Sequence, residues 1–147
     1  MHIRPYSPPD KERLLDIWLM ASRVGHPFLR EDELLDQQQI VGDVYLDKAD
    51  NWVAEIDGRP AGFIGLLDNF IGGLFVDPAL HGSGIGRALV EHAAARNGPL
   101  SLTVYADNEK GLGFYRRCGF EEVSRAAQDD EGRPLVVVEM QRGDAAT

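Results

Sequence analysis

The chain has 147 residues, a formal net charge of −9 and an apolar share of 44%, enough for one domain with a core, expected over residues 1–142 with a frayed tail at 143–147. No apolar run approaches the roughly 20 residues that span a bilayer, and Met1-His2-Ile3-Arg4-Pro5 holds no apolar signal core, which excludes a membrane role and implies a soluble, cytoplasmic protein. The acidic balance argues against nucleic acid and favours a cationic partner; Cys118 is the single cysteine, so a disulfide and a cysteine-based zinc site are excluded and no metal is expected.

Ile3-Arg4-Pro5-Tyr6 reads as a first strand. Ser7-Pro8-Pro9-Asp10 opens a helix, with a cap residue, proline in the first turn and an acid three residues on. Leu14, Trp18 and Ala21 recur at helical spacing until Gly25 and Pro27 stop the pattern. A polar, acidic helix is predicted over 30–47. Strands follow at 52–56 and 61–67, joined by the Asp57-Gly58 hairpin turn, then at 71–76. A helix over 85–96 presents Ile85, Leu89 and Ala93 on one face. Next come a strand at 100–105, a helix at about 108–117, and strands at 120–126 and 135–140 around Asp130-Glu131-Gly132. The order β-α-α-β-β-β-α-β-α-β-β predicts an α/β (α+β) fold, a mixed and mostly antiparallel sheet of about seven strands flanked by about four helices.

The most informative stretch is Leu74-Phe75-Val76-Asp77-Pro78-Ala79-Leu80-His81-Gly82-Ser83-Gly84-Ile85-Gly86-Arg87. An apolar run stops at Asp-Pro, three glycines alternate with other residues, and a helical pattern begins at once. Bare backbone N–H groups at a helix N-terminus then approach a phosphate without a Cβ in the way, which points to a pyrophosphate-bearing cofactor. A P-loop is excluded, because no Lys-Ser or Lys-Thr follows the glycines. A dinucleotide fingerprint belongs after the first strand of a βαβ unit, with an acid about 20 residues on; this loop follows the fourth strand, and Asn97-Gly98-Pro99 supplies no such acid.

The arrangement resembles the GCN5-related N-acetyltransferase (GNAT) superfamily, whose phosphate loop reads Gln/Arg-x-x-Gly-x-Gly/Ala after the fourth strand; here it is His81-Gly82-Ser83-Gly84-Ile85-Gly86. A second block matches in Asn108-Glu109-Lys110-Gly111-Leu112-Gly113-Phe114-Tyr115-Arg116-Arg117-Cys118-Gly119-Phe120. Trp18, Ser22 and His26-Pro27-Phe28-Leu29 are similar to the YjaB-type bacterial members. Two departures stand out. His81 replaces Gln or Arg and offers one neutral donor. Gly111 and Gly113 lie inside a short helix, at roughly 1 kcal/mol each relative to Ala.

The resemblance implies acetyl-CoA as cosubstrate. Backbone groups of Leu74, Phe75 and Val76 would pair with the pantetheine arm. The loop His81, Gly82, Ser83, Gly84, Ile85, Gly86 and Arg87 would hold the pyrophosphate, where an acidic chain needs local cations. Asn108 would reach the arm or cap its helix. Tyr115 is expected at the sulfur, because a phenol of pKa ~10 protonates or hydrogen-bonds a leaving thiolate of pKa ~8.5. His26 has the right chemistry for a general base near pKa 7 and lies in the loop expected at the acceptor site. Trp18, Ser22, Phe28 and Asn69 are the other candidate acceptor contacts. Gly72 and Gly73 stand where YjaB-type members can carry polar groups, which leaves no strand carboxylate there. Cys118 is expected to be a buried small residue.

The expected activity is direct transfer of an acetyl group from acetyl-CoA to a primary amine of a small molecule or peptide. The alternatives are a non-catalytic acyl-CoA-binding regulator and a protein lysine or N-terminal acetyltransferase; the charge opposes a tRNA-directed toxin. The chain is expected to be a monomer or a homodimer, a dimer being common in the family it resembles.

Overall fold

The computed structural model describes residues 1–143; residues 144–147 of the expected tail lie outside the described residues. The strands are β1 (His2–Pro5), β2 (Asp50–Ile56), β3 (Arg59–Leu67), β4 (Phe70–Val76), β5 (Leu100–Tyr105), β6 (Glu121–Ala126) and β7 (Val137–Arg142). The helices are α1 (Lys11–Gly25), α2 (Glu31–Ile40), the single turn α3 (Leu46–Lys48), α4 (Ile85–Asn97) and α5 (Glu109–Arg117). The strands form one mixed sheet in the order β1-β2-β3-β4-β5-β7-β6. Neighbours are antiparallel except β4 and β5. This is the α+β architecture the element order predicts. Among the described residues no helix is long and apolar enough to cross a membrane.

Alternation along the strands divides the core into two layers. Ala54, Ile64, Leu66 and Ile71 face Ile85, Leu89, Val90 and Ala93 of α4. Val53 and Phe63 point the other way, onto Leu14, Ile17 and Trp18 of α1 and Leu34 of α2. The hairpin turn forms as its residues demand, with Asp57 and Gly58 both at positive φ, +53° and +78°.

The helix expected over 30–47 does not run through. After Ile40 the backbone takes a π-type turn over Val41–Tyr45 before the last turn, α3. Gly42 presses on Leu15 there, a Cβ on it standing 3.1 Å from Leu15 Cδ1, and valines flank it, so the α ladder is weak at this point. The wider turn changes the direction in which Tyr45 projects.

β1 is tied to the layer of α1 by charge. Arg4 donates to Asp10 through Nη1 and Nη2, at 2.7 and 2.8 Å, and its Nε donates to Glu55. Asp10 also accepts the Ser7 N–H at 3.0 Å, closing the turn that starts α1. The Arg4 guanidinium holds the Asp10 carboxyl below its usual range, outweighing the upward push of burial. A depressed carboxylate pKa contributes stability that is complete above the unfolded pKa and lost as pH falls through the folded one. Asp10→Asn should therefore cost about 2 kcal/mol at pH 7, measured by urea unfolding, and the gap from the wild type should narrow as pH falls below the ordinary carboxylate range.

Candidate active site

β4 and β5 are paired only at their beginnings, Phe70 with Ser101 and Ile71 with Leu102. Beyond these two rungs they separate. The cause lies partly in β4 itself: its register with β3 runs Gly65 to Gly73 and then Leu66 to Ile71, so Gly72 is an extra, bulged residue. A bulge bends a strand and raises its twist. The edge of β4 that faces β5 is left without a ladder partner from Gly72 to Val76, and a cavity of about 900 Å³ opens in the gap. Leu74 and Val76 pack toward α4, and Phe75 packs on Phe63 and Trp18. Their half-buried side chains pack against the two core layers, so the strand turns main-chain groups to the cavity.

The glycine loop closes one end. Gly82 and Gly84 sit at φ +85° and +87°, and nothing lies within 4 Å of a Cβ placed on either. Gly84 lacks a side-chain cap hydrogen bond, so the first N–H groups of α4 stay available. Ile85 is buried beneath the loop, and Gly86 lies against Phe114. Ser83 turns away from the cavity and donates its hydroxyl to Leu80 O within the loop. His81 also lines the cavity, but its Nε2 is 3.0 Å from Val76 O. That carbonyl can only accept, so Nε2 carries the proton and its donor is engaged in holding the loop to β4. The positive charge is supplied elsewhere. Arg87 lines this end and donates to Arg117 O at 3.3 Å, Lys110 lines the cavity from the first turn of α5, and none of Arg87, Lys110 and Arg117 forms an ion pair among the described residues.

α5 forms one wall. Asn108 caps it, its Oδ1 accepting the Gly111 N–H at 3.0 Å. A Cβ on Gly111 would stand 2.5 Å from Asn108 Nδ2. The glycine therefore makes room for the cap, and Nδ2 is left to face the cavity between Gly111 and Gly25. Tyr115 lines the same wall, braced edge-on by Phe114 and Phe120 at 5.2 and 5.6 Å. Burial pushes its phenol well above the usual range, so the hydroxyl is a firm hydrogen-bond donor at neutral pH. Cys118 is buried, as expected, and burial raises its thiol pKa.

The C-terminal end of α1 forms the opposite wall. Trp18, Ser22 and His26 come together there. Ser22 is only 1% exposed, and its Oγ has no hydrogen-bond partner among the described residues. His26 ends α1 with its N–H on Ser22 O at 2.8 Å, and its ring stands edge-on to Tyr105 at 5.3 Å. Burial alone pushes the imidazole down to about 4. It is neutral at pH 7 and far less basic than the near-neutral value expected for a general base.

Two candidate acceptor contacts lie elsewhere. Phe28 stands behind the wall, tilted against His26 at 5.6 Å and edge-on to Tyr105 at 5.2 Å. Asn69 does not reach the cavity, because its amide clamps the base of the sheet by donating to Asn97 O and Pro99 O at 3.1 and 2.7 Å. The turn into β4 places it at the paired end of the strands, away from the gap.

The segment between β6 and β7 contributes residues that pattern alone read only as a turn. Tyr105 donates its hydroxyl to Asp129 at 2.8 Å. Burial pushes the Asp129 carboxyl up, but the bonds from Tyr105 and from Arg133 and Glu131 hold it below its usual range. Arg133 bridges Asp129 at 3.1 Å, Glu131 at 2.7 Å and Glu33 of α2 at 2.6 Å. This network straps the segment to α2 beside the cavity, leaving Asp129, Asp130 and Glu131 in its lining. The Asp129–Arg133 spacing was the available signal; the pairing with Glu33 crosses 100 residues and has no local signature.

Comparison with known proteins agrees with this geometry. The family model described as an acetyltransferase (GNAT) domain matches residues 47–122. The peptidyl-lysine N-acetyltransferase YiaC of Escherichia coli K12 is 36% identical, covering 85% of this chain and 86% of its own. YjaB of Salmonella typhimurium LT2, also named a peptidyl-lysine N-acetyltransferase, is 33% identical over 95% of this chain and 97% of its own. The solution structure of apo YjaB from Escherichia coli superposes with a TM-score of 0.88 at 32% identity, covering 97% and 98% of the two chains. With the split sheet, the glycine loop and more than half of the chain inside the family model, this N-acetyltransferase belongs to the GNAT family.

Proposed function

We propose that this chain transfers the acetyl group of acetyl-CoA to the side-chain amine of a lysine presented by a peptide or protein. The observation that carries the reading is the polarity of the β4–β5 cavity. One end combines free helix N–H groups with Arg87 and Arg117; another part of the lining carries Asp129, Asp130 and Glu131. The first suits a pyrophosphate, the second a cationic acceptor. Between them the unpaired edge of β4 suits an amide-bearing arm laid down as an added strand. Val24 and Ile40, 43% and 55% exposed, form an apolar rim beside the acidic one. That combination matches a lysine, an aliphatic stem ending in a cation. The names of YiaC and YjaB support the same acceptor.

Acetyl-CoA supplies an activated thioester, and the residues divide the remaining work. Backbone N–H groups near the Gly72 bulge polarise the carbonyl as the amine attacks. The amine nitrogen forms the new C–N bond and releases a proton to water, and the C–S bond breaks. Tyr115 donates a hydrogen bond to the sulfur as negative charge develops on it. With its pKa raised by burial, the phenol acts by this donation more than by complete proton transfer, and the thiol proton comes finally from solvent. Asn108 Nδ2 orients the arm. Trp18, Ser22 and the neutral His26 shape the acceptor side.

Tyr115→Phe should lower kcat about 100-fold and change the acetyl-CoA Kd by less than about twofold, read by thiol release and calorimetry; loss of binding in step with kcat would assign Tyr115 to cofactor binding. The wild-type pH–rate profile should show no inflection from His26 between pH 5 and 8, because the imidazole is already neutral above about 4. His26→Ala should then lower kcat/KM by one factor throughout that range; a pH-dependent ratio of variant to wild type would restore the general-base role. Gly111→Ala, usually stabilising by about 1 kcal/mol in a helix, should instead lower Tm and weaken acetyl-CoA binding several-fold by displacing Asn108.

A further inference from the structure

β4 has no side chain at the two positions where it leaves β5, Gly72 and Gly73. An acceptor amine arriving at the bulge therefore meets no polar side chain from these two positions. Tyr45 fills that position from outside. Its hydroxyl oxygen lies 1.2 Å from where a Cβ on Gly72 would stand, and its ring lies 3.0 Å from the Cβ position of Gly65 on the adjacent strand. The phenol lies in a track that these two glycines leave open across β3 and β4. The π-type turn Val41–Tyr45 directs it there. Val41 lines the cavity, and Tyr45, about one turn further, reaches the sheet. Turns of this kind recur at functional sites.

The Tyr45 hydroxyl is buried and has no hydrogen-bond partner among the described residues. An unpaired buried hydroxyl destabilises a fold, and phenylalanine would fill the same track without that penalty. A tyrosine at this position calls for a partner that arrives with a ligand. Gly72, directly against the hydroxyl, is both the bulged residue and part of the cavity lining. Ser22 Oγ, the other unpartnered hydroxyl of this region, lines the same cavity.

We propose that Tyr45 is a substrate-contacting residue of the acceptor site, its phenol oxygen accepting a hydrogen bond from the N–H of the attacking amine at the Gly72 bulge. This inference rests on the acetyl-transfer reading above and assigns the group that turns the nitrogen lone pair toward the carbonyl carbon. Tyr45 takes no proton in the step; the proton lost by nitrogen goes to water. Burial raises the phenol pKa, so the hydroxyl stays neutral and its oxygen lone pairs remain available as acceptors.

Tyr45→Phe keeps the ring in its track and removes one unpaired oxygen. Its kcat/KM for a peptide blocked at both ends and carrying one lysine, at saturating acetyl-CoA, should fall about tenfold. The acetyl-CoA Kd should be unchanged, and Tm should be equal to or above that of the wild type. Equal kcat/KM in variant and wild type overturns the role of Tyr45 and leaves the acetyl-transfer reading standing. A loss of acetyl-CoA affinity that accounts for the whole fall in kcat/KM also overturns it. Failure of the wild type itself to acetylate the peptide removes the acceptor reading, and the role of Tyr45 with it.

Discussion

A parallel ladder that stops after two rungs governs this structure. Phe70 and Ile71 pair with Ser101 and Leu102, and from Gly72 onward β4 holds only β3. Backbone N–H and C=O groups left unpaired in a protein interior are costly, so the gap persists because it faces a cavity that admits water or an arm bearing its own amides. Each other part of the site is placed by that separation. The loop after β4 arrives at one end of the gap, α5 after β5 forms one wall, and α1 crosses the opposite face.

An overall charge of −9 is at odds with a polyanionic cosubstrate until charge is followed along the cavity. Arg87 and Arg117 meet where α4 begins and α5 ends, Lys110 adds a charge from the first turn of α5, and the N-terminus of α4 adds its own partial charge. The acids concentrate in the segment between β6 and β7 that Arg133 ties to Glu33. Net charge therefore describes the outer surface and the segment between β6 and β7, and the part of the cavity at the α4 N-terminus is a local exception. The wall residues also differ in their work. His81 holds the loop to Val76, His26 is kept neutral by burial, and Tyr115 is kept protonated by the same effect.

Features encoded within a few residues were readable from the chain alone. The Asp57-Gly58 turn, the two strands it joins, and the glycine loop before α4 each carry a local chemical signature, and the structure has all three. Asn108 was readable as a cap for the same reason. Features that depend on pairing across the chain were not. The Gly72 bulge is a property of register between β3 and β4, invisible in either strand by itself. Asn69 suits an acceptor contact by type, yet the approach of Asn97 and Pro99 takes its amide away. His26 has the chemistry of a base, and only its packing against Tyr105 and Phe28 shows how far burial lowers its pKa. The bond from Tyr105 to Asp129 and the reach of Tyr45 over Gly72 likewise need the fold in three dimensions.

The claim that the β4–β5 gap is a cosubstrate channel is tested most directly by titrating the protein with acetyl-CoA and with CoA in a calorimeter. The account predicts one site of micromolar affinity for each, weakened by added salt as the cationic end requires. No heat at high micromolar concentration would contradict it, and would mean that His81 and the glycine loop do not form a pyrophosphate site in this chain.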